Sequence, residues 1–221
     1  MNKSYFEILR PGVNTTIQDK GRYNLYHIGV SVSGAIDQRN YKLANSLVGN
    51  NLNEAVIEFA YQGPHLKLKN AKINFAITGD ILFKIIRKNS KIEEGECYRN
   101  YLLEEGDQLN IISTKKSAYG YLSVGGGLEL QKLWKSYSTN TKAKIGSNNG
   151  NKFSSDDKIF ITKSDVKNFL EKKINYKAII DNTIRVIKGT NFDYFSIQAI
   201  ENFFNKEFLV TNLADRMGIR L

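Results

Sequence analysis

Val56-Ile-Glu-Phe-Ala-Tyr-Gln-Gly-Pro-His-Leu-Lys-Leu-Lys-Asn-Ala-Lys-Ile-Asn-Phe-Ala-Ile-Thr-Gly-Asp-Ile-Leu-Phe-Lys-Ile-Ile86 decides the fold class. Residues 56–59, 66–68, 73–77 and 81–86 are short apolar runs, three of them rich in β-branched or aromatic side chains. Gln62-Gly-Pro64 and Thr78-Gly-Asp80 separate them with residues that turn the chain. Regular short strands between such turns indicate an all-β sandwich or barrel. The long alternation of strand and helix that a doubly wound fold needs is missing. The fold class is therefore mainly β, with few short helices.

The same pattern extends in both directions. Downstream, Gln108-Leu-Asn-Ile-Ile and residues 118–124 read as strands, with turns at Glu94-Gly-Glu, Glu105-Gly-Asp and Gly125-Gly-Gly. Upstream, Tyr5-Phe-Glu-Ile-Leu is a strand, Arg10-Pro-Gly a turn, and Asn14-Thr-Thr-Ile-Gln an extended polar run. Asp19-Lys-Gly-Arg turns again, residues 23–32 read as extended, and Ser33-Gly-Ala breaks them. Asp37 is placed to cap a helix over Gln38–Val48, whose Tyr41, Ala44, Leu47 and Val48 share one face. Gly49 suits the left-handed position that ends it. Residues 131–158 are irregular and rich in Ser, Thr, Asn and Gly. Beyond them, the pattern predicts a short helix from Ser164 to Lys173 and a strand over 183–187. A helix over 192–204 and an extended run over 207–211 follow.

Composition narrows the function classes. A chain of 221 residues can bury a core without staples. One cysteine, Cys97, excludes an intrachain disulfide and points to a reducing compartment. The first residues lack the apolar core of a signal peptide, and no apolar run approaches the ~20 residues that span a bilayer. The cytoplasm is the expected location. The net charge is +10, and 13 Lys/Arg stand against 5 Asp/Glu in residues 131–188. These charges are lysines diluted among Asn and Ser, which reads as a solvated surface rather than a nucleic-acid interface.

Standard catalytic kits are mostly missing. The two histidines, His27 and His65, are far apart in sequence, and with a single cysteine a Cys/His zinc site is excluded. His27, beside Tyr26, reads as a satisfied structural histidine. Gly146-Ser-Asn-Asn-Gly-Asn-Lys has the residues of a phosphate loop without its spacing, and reads as a flexible loop. Gly125-Gly-Gly suits either close backbone approach to a ligand or a tight turn. What remains is a polar constellation over residues 11–37. Gln18, Asp19 and Arg22 cluster around Gly21, and Ser33-Gly34-Ala-Ile-Asp37 follows. An arginine and carboxylates on glycine-bounded turns can bind an anionic substrate and position a water or amide proton. The same residues can equally cap turns and pair with one another.

Pro11-Gly-Val-Asn-Thr-Thr-Ile-Gln-Asp-Lys-Gly-Arg, Gly29-Val-Ser-Val-Ser-Gly-Ala-Ile-Asp37 and Ala44-Asn-Ser-Leu-Val-Gly-Asn50 resemble the start of the carboxyltransferase-like family. That family includes the C-type subunit of 5-oxoprolinase (KipA, or allophanate hydrolase subunit 2) and the carboxyltransferase domain of urea carboxylase. Gly63-Pro-His-Leu, Ile77-Thr-Gly-Asp, Val124-Gly-Gly-Gly and Ser136-Tyr-Ser-Thr139 continue the resemblance in order. Val210-Thr-Asn-Leu-Ala-Asp-Arg-Met-Gly-Ile-Arg-Leu221 completes it. There are departures. Tyr137 stands where the family has arginine, and Asn140 replaces an acidic residue. Gly189-Thr-Asn replaces Gly-Pro-Gln, and Ser155-Asp-Asp replaces a glycine-aspartate turn.

The resemblance implies a cyclophilin-like β-barrel lobe over residues 1–180 and the start of a second lobe over 181–221. Family members continue well past the Asp215-Arg216 block. The expectation is a second lobe completed by another polypeptide, or a reduced version with an exposed sheet edge. The resemblance also implies one component of an ATP-dependent 5-oxoprolinase, which opens 5-oxoproline to glutamate. Its partners would be a B-type (KipI-like) protein and an A-type protein of the same enzyme, with ATP bound by the complex. Under it, Arg22 and Arg216 hold anionic groups, Asp19, Asp37 and Asp215 position protons or a metal-bound nucleotide, and Gln18, Ser33 and Gly34 contact substrate. The alternatives are a biotin-dependent carboxyltransferase acting on urea or a related amide, and a non-catalytic regulatory binder. Without a Met-Lys-Met sequence, biotin would come from a separate carrier.

Overall fold

Successive side chains of a strand point to opposite faces, so in a strand with one face on the core alternate residues are buried. In β1 (Tyr5–Arg10), Phe6 and Ile8 are fully buried between half-exposed neighbours. The computed structural model describes residues 3–162, 166, 168–177, 183–211, 216, 218 and 220. These divide into two compact units, Met1–Tyr176 and Lys177–Leu221.

The first unit is built on two antiparallel sheets. The remaining strands are β2 (Val13–Gln18), β3 (Val56–Ala60), β4 (His65–Lys69), β5 (Ile73–Thr78), β6 (Ile81–Ile86), β7 (Ile92–Glu94), β8 (Asn100–Leu103), β9 (Gln108–Thr114), β10 (Tyr119–Val124) and β11 (Lys158–Phe160). One sheet runs β11-β1-β4-β9-β6-β7 and the other β2-β3-β10-β5-β8. Phe6, Ile8, Leu66, Leu68, Phe83, Ile85, Leu109 and Ile111 from the first sheet meet Ile17, Ile57, Phe59, Phe75, Ile77 and Leu122 from the second in one core. Each such side chain, fully buried, stabilises by roughly 1.5–3 kcal/mol.

The five-stranded sheet is buried on both faces, and every residue of β3 is buried, Glu58 included. Its outer face is covered by α1 (Gln38–Val48). Tyr41 and Ala44 pack with Val56 and Tyr121, and Leu47 and Val48 pack with Ala76. Asp37 caps the helix, accepting from the backbone N–H of Arg39 (3.0 Å) and Asn40 (2.9 Å) and from Asn40 Nδ2 (2.6 Å). Gly49 closes it with φ 78°.

Several expectations are corrected. Residues 23–32 are not a strand: Tyr26–Ile28 form a 3₁₀ turn ended by Gly29 at φ 74°, and Asn24 also has φ 65°. His27 is solvent-exposed there, not a satisfied structural residue. Ser164 lies outside the described residues, and the described part of the segment expected to be helical after it forms no helix. Lys172 donates its N–H to Asn100 Oδ1 (2.6 Å), Asn100 donates to Lys172 O (3.0 Å) and through Nδ2 to Leu170 O (2.9 Å), and Ile174 N–H reaches Tyr98 O (2.8 Å). Tyr176 then stacks on Tyr98 at 4.1 Å. This strap covers the β8 edge, which would otherwise expose unpaired backbone.

In the second unit, residues 183–187 and 207–211 form no strand. The expected 192–204 helix divides into a 3₁₀ turn, Phe192–Tyr194, and α2 (Ile197–Asn205). The division falls at Ser196, whose hydroxyl accepts from Ala199 N–H and so starts a new helix. Among the described residues no helix is long and apolar enough to cross a membrane.

Two outcomes test this arrangement. Replacing Asp37 with Ala removes the α1 cap and should cost about 1–2 kcal/mol in chemical denaturation; an unchanged midpoint would contradict the capping role. Burial lowers the pKa of half-buried His65 below 6.5; a hydrogen bond with Gln108 opposes this, and the Arg10 charge reinforces it. A lowered folded pKa means that its stability contribution is complete above about 6.5 and fades as pH falls towards the folded value. His65→Gln should flatten that part of the stability curve.

Candidate functional site

The residues following β2 fold back on themselves through glycines. Arg22 N–H donates to Val32 O (2.8 Å) and Ala35 N–H to Asp19 O (2.8 Å), so residues 19–22 and 32–35 lie side by side. Their approach is close. A Cβ on Gly34, which has φ 88°, would lie 2.9 Å from the Lys20 carbonyl. No larger residue fits that space without moving backbone.

Asp19 is the centre of this region and is only 3% exposed. Its Oδ1 accepts from Gly21 N–H (2.8 Å), Ser136 Oγ (2.7 Å) and Ser138 Oγ (2.5 Å), and its Oδ2 from Tyr137 N–H (2.7 Å). In return its own N–H donates to Ser138 Oγ (3.1 Å). Four donors stabilise the buried carboxylate, which forms no salt bridge with a described residue. Gln18 strengthens the join, donating from Nε2 to Thr16 Oγ1 (2.9 Å) and Thr139 O (3.0 Å).

Arg22 is 1% exposed. It donates from Nη1 to Ser33 Oγ (3.3 Å) and from Nη2 to Ser138 O. Burial lowers its pKa from the ordinary guanidinium value, and the Asp19 charge acts the other way. Buried polar atoms here without a hydrogen-bond partner among the described residues include Arg22 Nε, Gln18 Oε1 and Tyr41 Oη. Burial, followed by the charges of Asp19 and Glu54, holds the proton on Tyr41.

The structure thus brings Gln18, Asp19, Arg22, Ser33 and Gly34 together. Asp37 stands apart as the α1 cap, tied to the sheet by its N–H, which donates to Tyr121 Oη (2.7 Å). Arg216 belongs to the second unit, and Asp215 lies outside the described residues. Sequence reasoning missed Ser136 and Ser138 as site residues, although the Ser136-Tyr-Ser-Thr139 block carried part of the resemblance. It also missed a cleft of about 510 Å³ lined by Asp19, Lys20, Asn51, Asn53, Glu54, Lys132, Lys135 and Tyr137.

The loop over residues 146–150 is packed, not flexible. A Cβ on Gly146 would fall 1.9 Å from Ser138 O, and one on Gly150 2.1 Å from the Lys144 carbonyl carbon. The triple glycine is a turn with its backbone engaged: Gly127 N–H reaches Val124 O (3.0 Å) and Gly126 N–H reaches Asn50 Oδ1 (2.9 Å).

The sequence and the two-sheet fold match known proteins. The carboxyltransferase domain family, subdomains A and B, matches residues 28–221, and the chain belongs to that family. It is 30% identical over 227 residues to urea amidolyase of Saccharomyces cerevisiae, covering 97% of this chain and 12% of that enzyme. To the C-type subunit of 5-oxoprolinase from Escherichia coli it is 26% identical, covering 97% of this chain and 67% of that protein. The crystallised protein TTHA0988 shares the fold, with TM-score 0.84 and 24% identity over 99% of this chain and 42% of its own. The K. lactis urea amidolyase gives TM-score 0.81 and 25% identity over 100% of this chain and 14% of its own.

Replacing Asp19 with Ala would strand the N–H groups of Gly21 and Tyr137 and two serine hydroxyls in the interior. The expected loss is on the order of 3 kcal/mol or more, larger than for the Asp37 cap. Equal denaturation midpoints for Asp19→Ala and wild type would contradict the network.

Proposed function

We propose that the chain is the C-type subunit of an ATP-dependent 5-oxoprolinase. In that role it binds the lactam, or its activated form, in the cleft beside Asp19. The observation that carries this reading is a polar cleft of about 510 Å³ with a buried, fully hydrogen-bonded carboxylate in its lining. Lactam opening needs an unreactive carbonyl to be activated, by phosphorylation of its oxygen, before water attacks. A rigid site that holds the ring in one pose lowers the entropic part of that barrier. Here Asp19 is a positioning group. Its four donors hold the 136–138 segment against the 19–22 turn, and Asn51 and Asn53 offer amides to the substrate.

Nucleotide binding is assigned to the partner proteins, of the B-like and A-like kinds. Residues 146–150 are packed against Ser138 and Lys144 and do not form an open phosphate cradle. Buried Arg22 acts within the frame by tying Ser33 to Ser138.

The 30% identity to urea amidolyase favours a second reading, carboxyl transfer to an amide nitrogen. That chemistry needs a biotin carrier, and residues 1–221 hold no Met-Lys-Met sequence to serve as one.

Reconstitution separates these readings. The chain, co-expressed with its B-like and A-like partners, should confer ATP-dependent release of glutamate from 5-oxoproline. Asp19→Asn should lower that turnover at least tenfold. Turnover that is equal with and without the chain would overturn the proposal, and a stable complex in that case would mark the chain as a regulatory binder. Carboxylation of urea dependent on an added biotin carrier would establish the second reading instead.

A further inference from the structure

We infer that Lys132 and Lys135, with Lys20 opposite, form an anion-binding wall of the cleft that takes the carboxylate or phosphate group of its small-molecule ligand. This deepens the lactam reading above by naming what holds the charged end of the ligand. The three lysines line one cleft. None of them is ion-paired with a described residue. Two carboxylates share the lining. The charge of Asp19 is already spread over four donors, and Glu54 Oε1 accepts from Ala55 N–H at 3.2 Å. Three lysines against the two carboxylates leave the lining net positive, and a concave polar site of that sign attracts an oxyanion because its walls limit screening by water.

The backbone carrying two of these lysines is shaped at a cost. Leu133 N–H donates to Ser136 O (2.9 Å) and Ser136 N–H to Leu133 O (3.2 Å), closing a hairpin with a two-residue tip. The tip residues are Trp134 at φ 50° and Lys135 at φ 64°. Asn-Gly is the favoured pair in such a turn, because Cβ crowds the backbone at positive φ. Packing does not require the larger residues: Trp134 is 46% exposed, and Lys135 is exposed as well. The turn nevertheless places Lys135 in the lining of the cleft. Local strain of this kind is characteristic of binding surfaces.

The hairpin is also fixed at its base. Ser136 Oγ and Tyr137 N–H both donate to Asp19, and Lys132 Nζ sits 5.0 Å over the Tyr137 ring. The lysines are therefore presented from a rigid support, which limits the ordering cost of binding. Tyr137 lines the same cleft and offers its aromatic body beside the charged groups.

The test uses the full chain, titrated separately with 5-oxoproline, 2-pyrrolidinone and inorganic phosphate and followed by calorimetry. The variants are Lys132→Gln with Lys135→Gln, and Lys135→Gly alone. Wild type should bind 5-oxoproline or phosphate with an affinity that falls as salt rises. The double variant should bind the anion about a hundredfold more weakly, at roughly tenfold per lost charge-assisted contact. Weak binding of 2-pyrrolidinone, which lacks the carboxylate, should be unaffected by either variant. Lys135→Gly should weaken anion binding about tenfold while keeping or raising the melting temperature, because glycine relieves the turn; a structural role would give the opposite pairing. Lysine-dependent phosphate binding without 5-oxoproline binding supports the anion wall and removes the lactam reading. Wild-type affinity in the double variant, or no binding of either anion by wild type, overturns the wall itself.

Discussion

One buried carboxylate holds together two parts of the chain that are far apart in sequence. Asp19 receives hydrogen bonds from Gly21 in its own turn and from Ser136, Tyr137 and Ser138 across the fold. A buried anion is costly unless donors surround it, and here four protein groups do so. The consequence reaches beyond the site. With residues 136–139 pinned, Thr139 N–H reaches Ile17 O (2.9 Å), and Phe153 N–H reaches Thr15 O (3.0 Å). The outer side of β2 is thereby covered by a segment without regular secondary structure. At the other end of the same sheet, the strap over residues 170–176 covers β8. Both edges of the five-stranded sheet are closed by irregular chain rather than by further long strands.

How much of this was legible in the sequence depended on whether the signal was local. The Asp37 and Gly49 caps and the apolar face of α1 lie within a few turns of chain, so the helix could be read to its ends. The strand runs around 56–86 were equally plain, since alternation and turn glycines are properties of neighbouring residues. Strands β7, β8 and β11 carry only three or four residues each, and pairing rather than propensity makes them strands. Residues 23–32 misled through their Tyr, Ile and Val content. Asn24 and Gly29 at positive φ turn the chain out of the sheet there. The helix expected up to Lys173 failed because Asn100 uses its whole amide to hold residues 170–172 beside β8, a contact some 70 residues distant in sequence.

The candidate site divides in the same way. Gln18, Asp19, Arg22, Ser33 and Gly34 were marked by glycine-bounded turns and by a family resemblance, and they do assemble. The serines that complete the Asp19 shell, and the lysines of the cleft, come from a segment that reads as a polar loop. Only the fold shows that residues 132–138 face the 19–22 turn. Asp37 resembled a site residue because caps and catalytic carboxylates share a sequence appearance: an acid beside a glycine-rich break. Its three donors from α1 identify it as a cap.

Rigid frame and strained rim therefore have separate tasks. The Asp19 network fixes where the 132–138 segment lies, and the tip at Trp134 and Lys135 places charge at the cleft. The most direct measurement of this division is amide and side-chain NMR of the isotopically labelled full chain during titration with 5-oxoproline. Saturable shifts concentrated at Lys20, Asn51, Asn53, Lys132, Lys135 and Tyr137, with the Asp19 donors unmoved, are the expected result. Shifts that cluster elsewhere on the first unit, or that never saturate, would contradict a ligand site in this cleft.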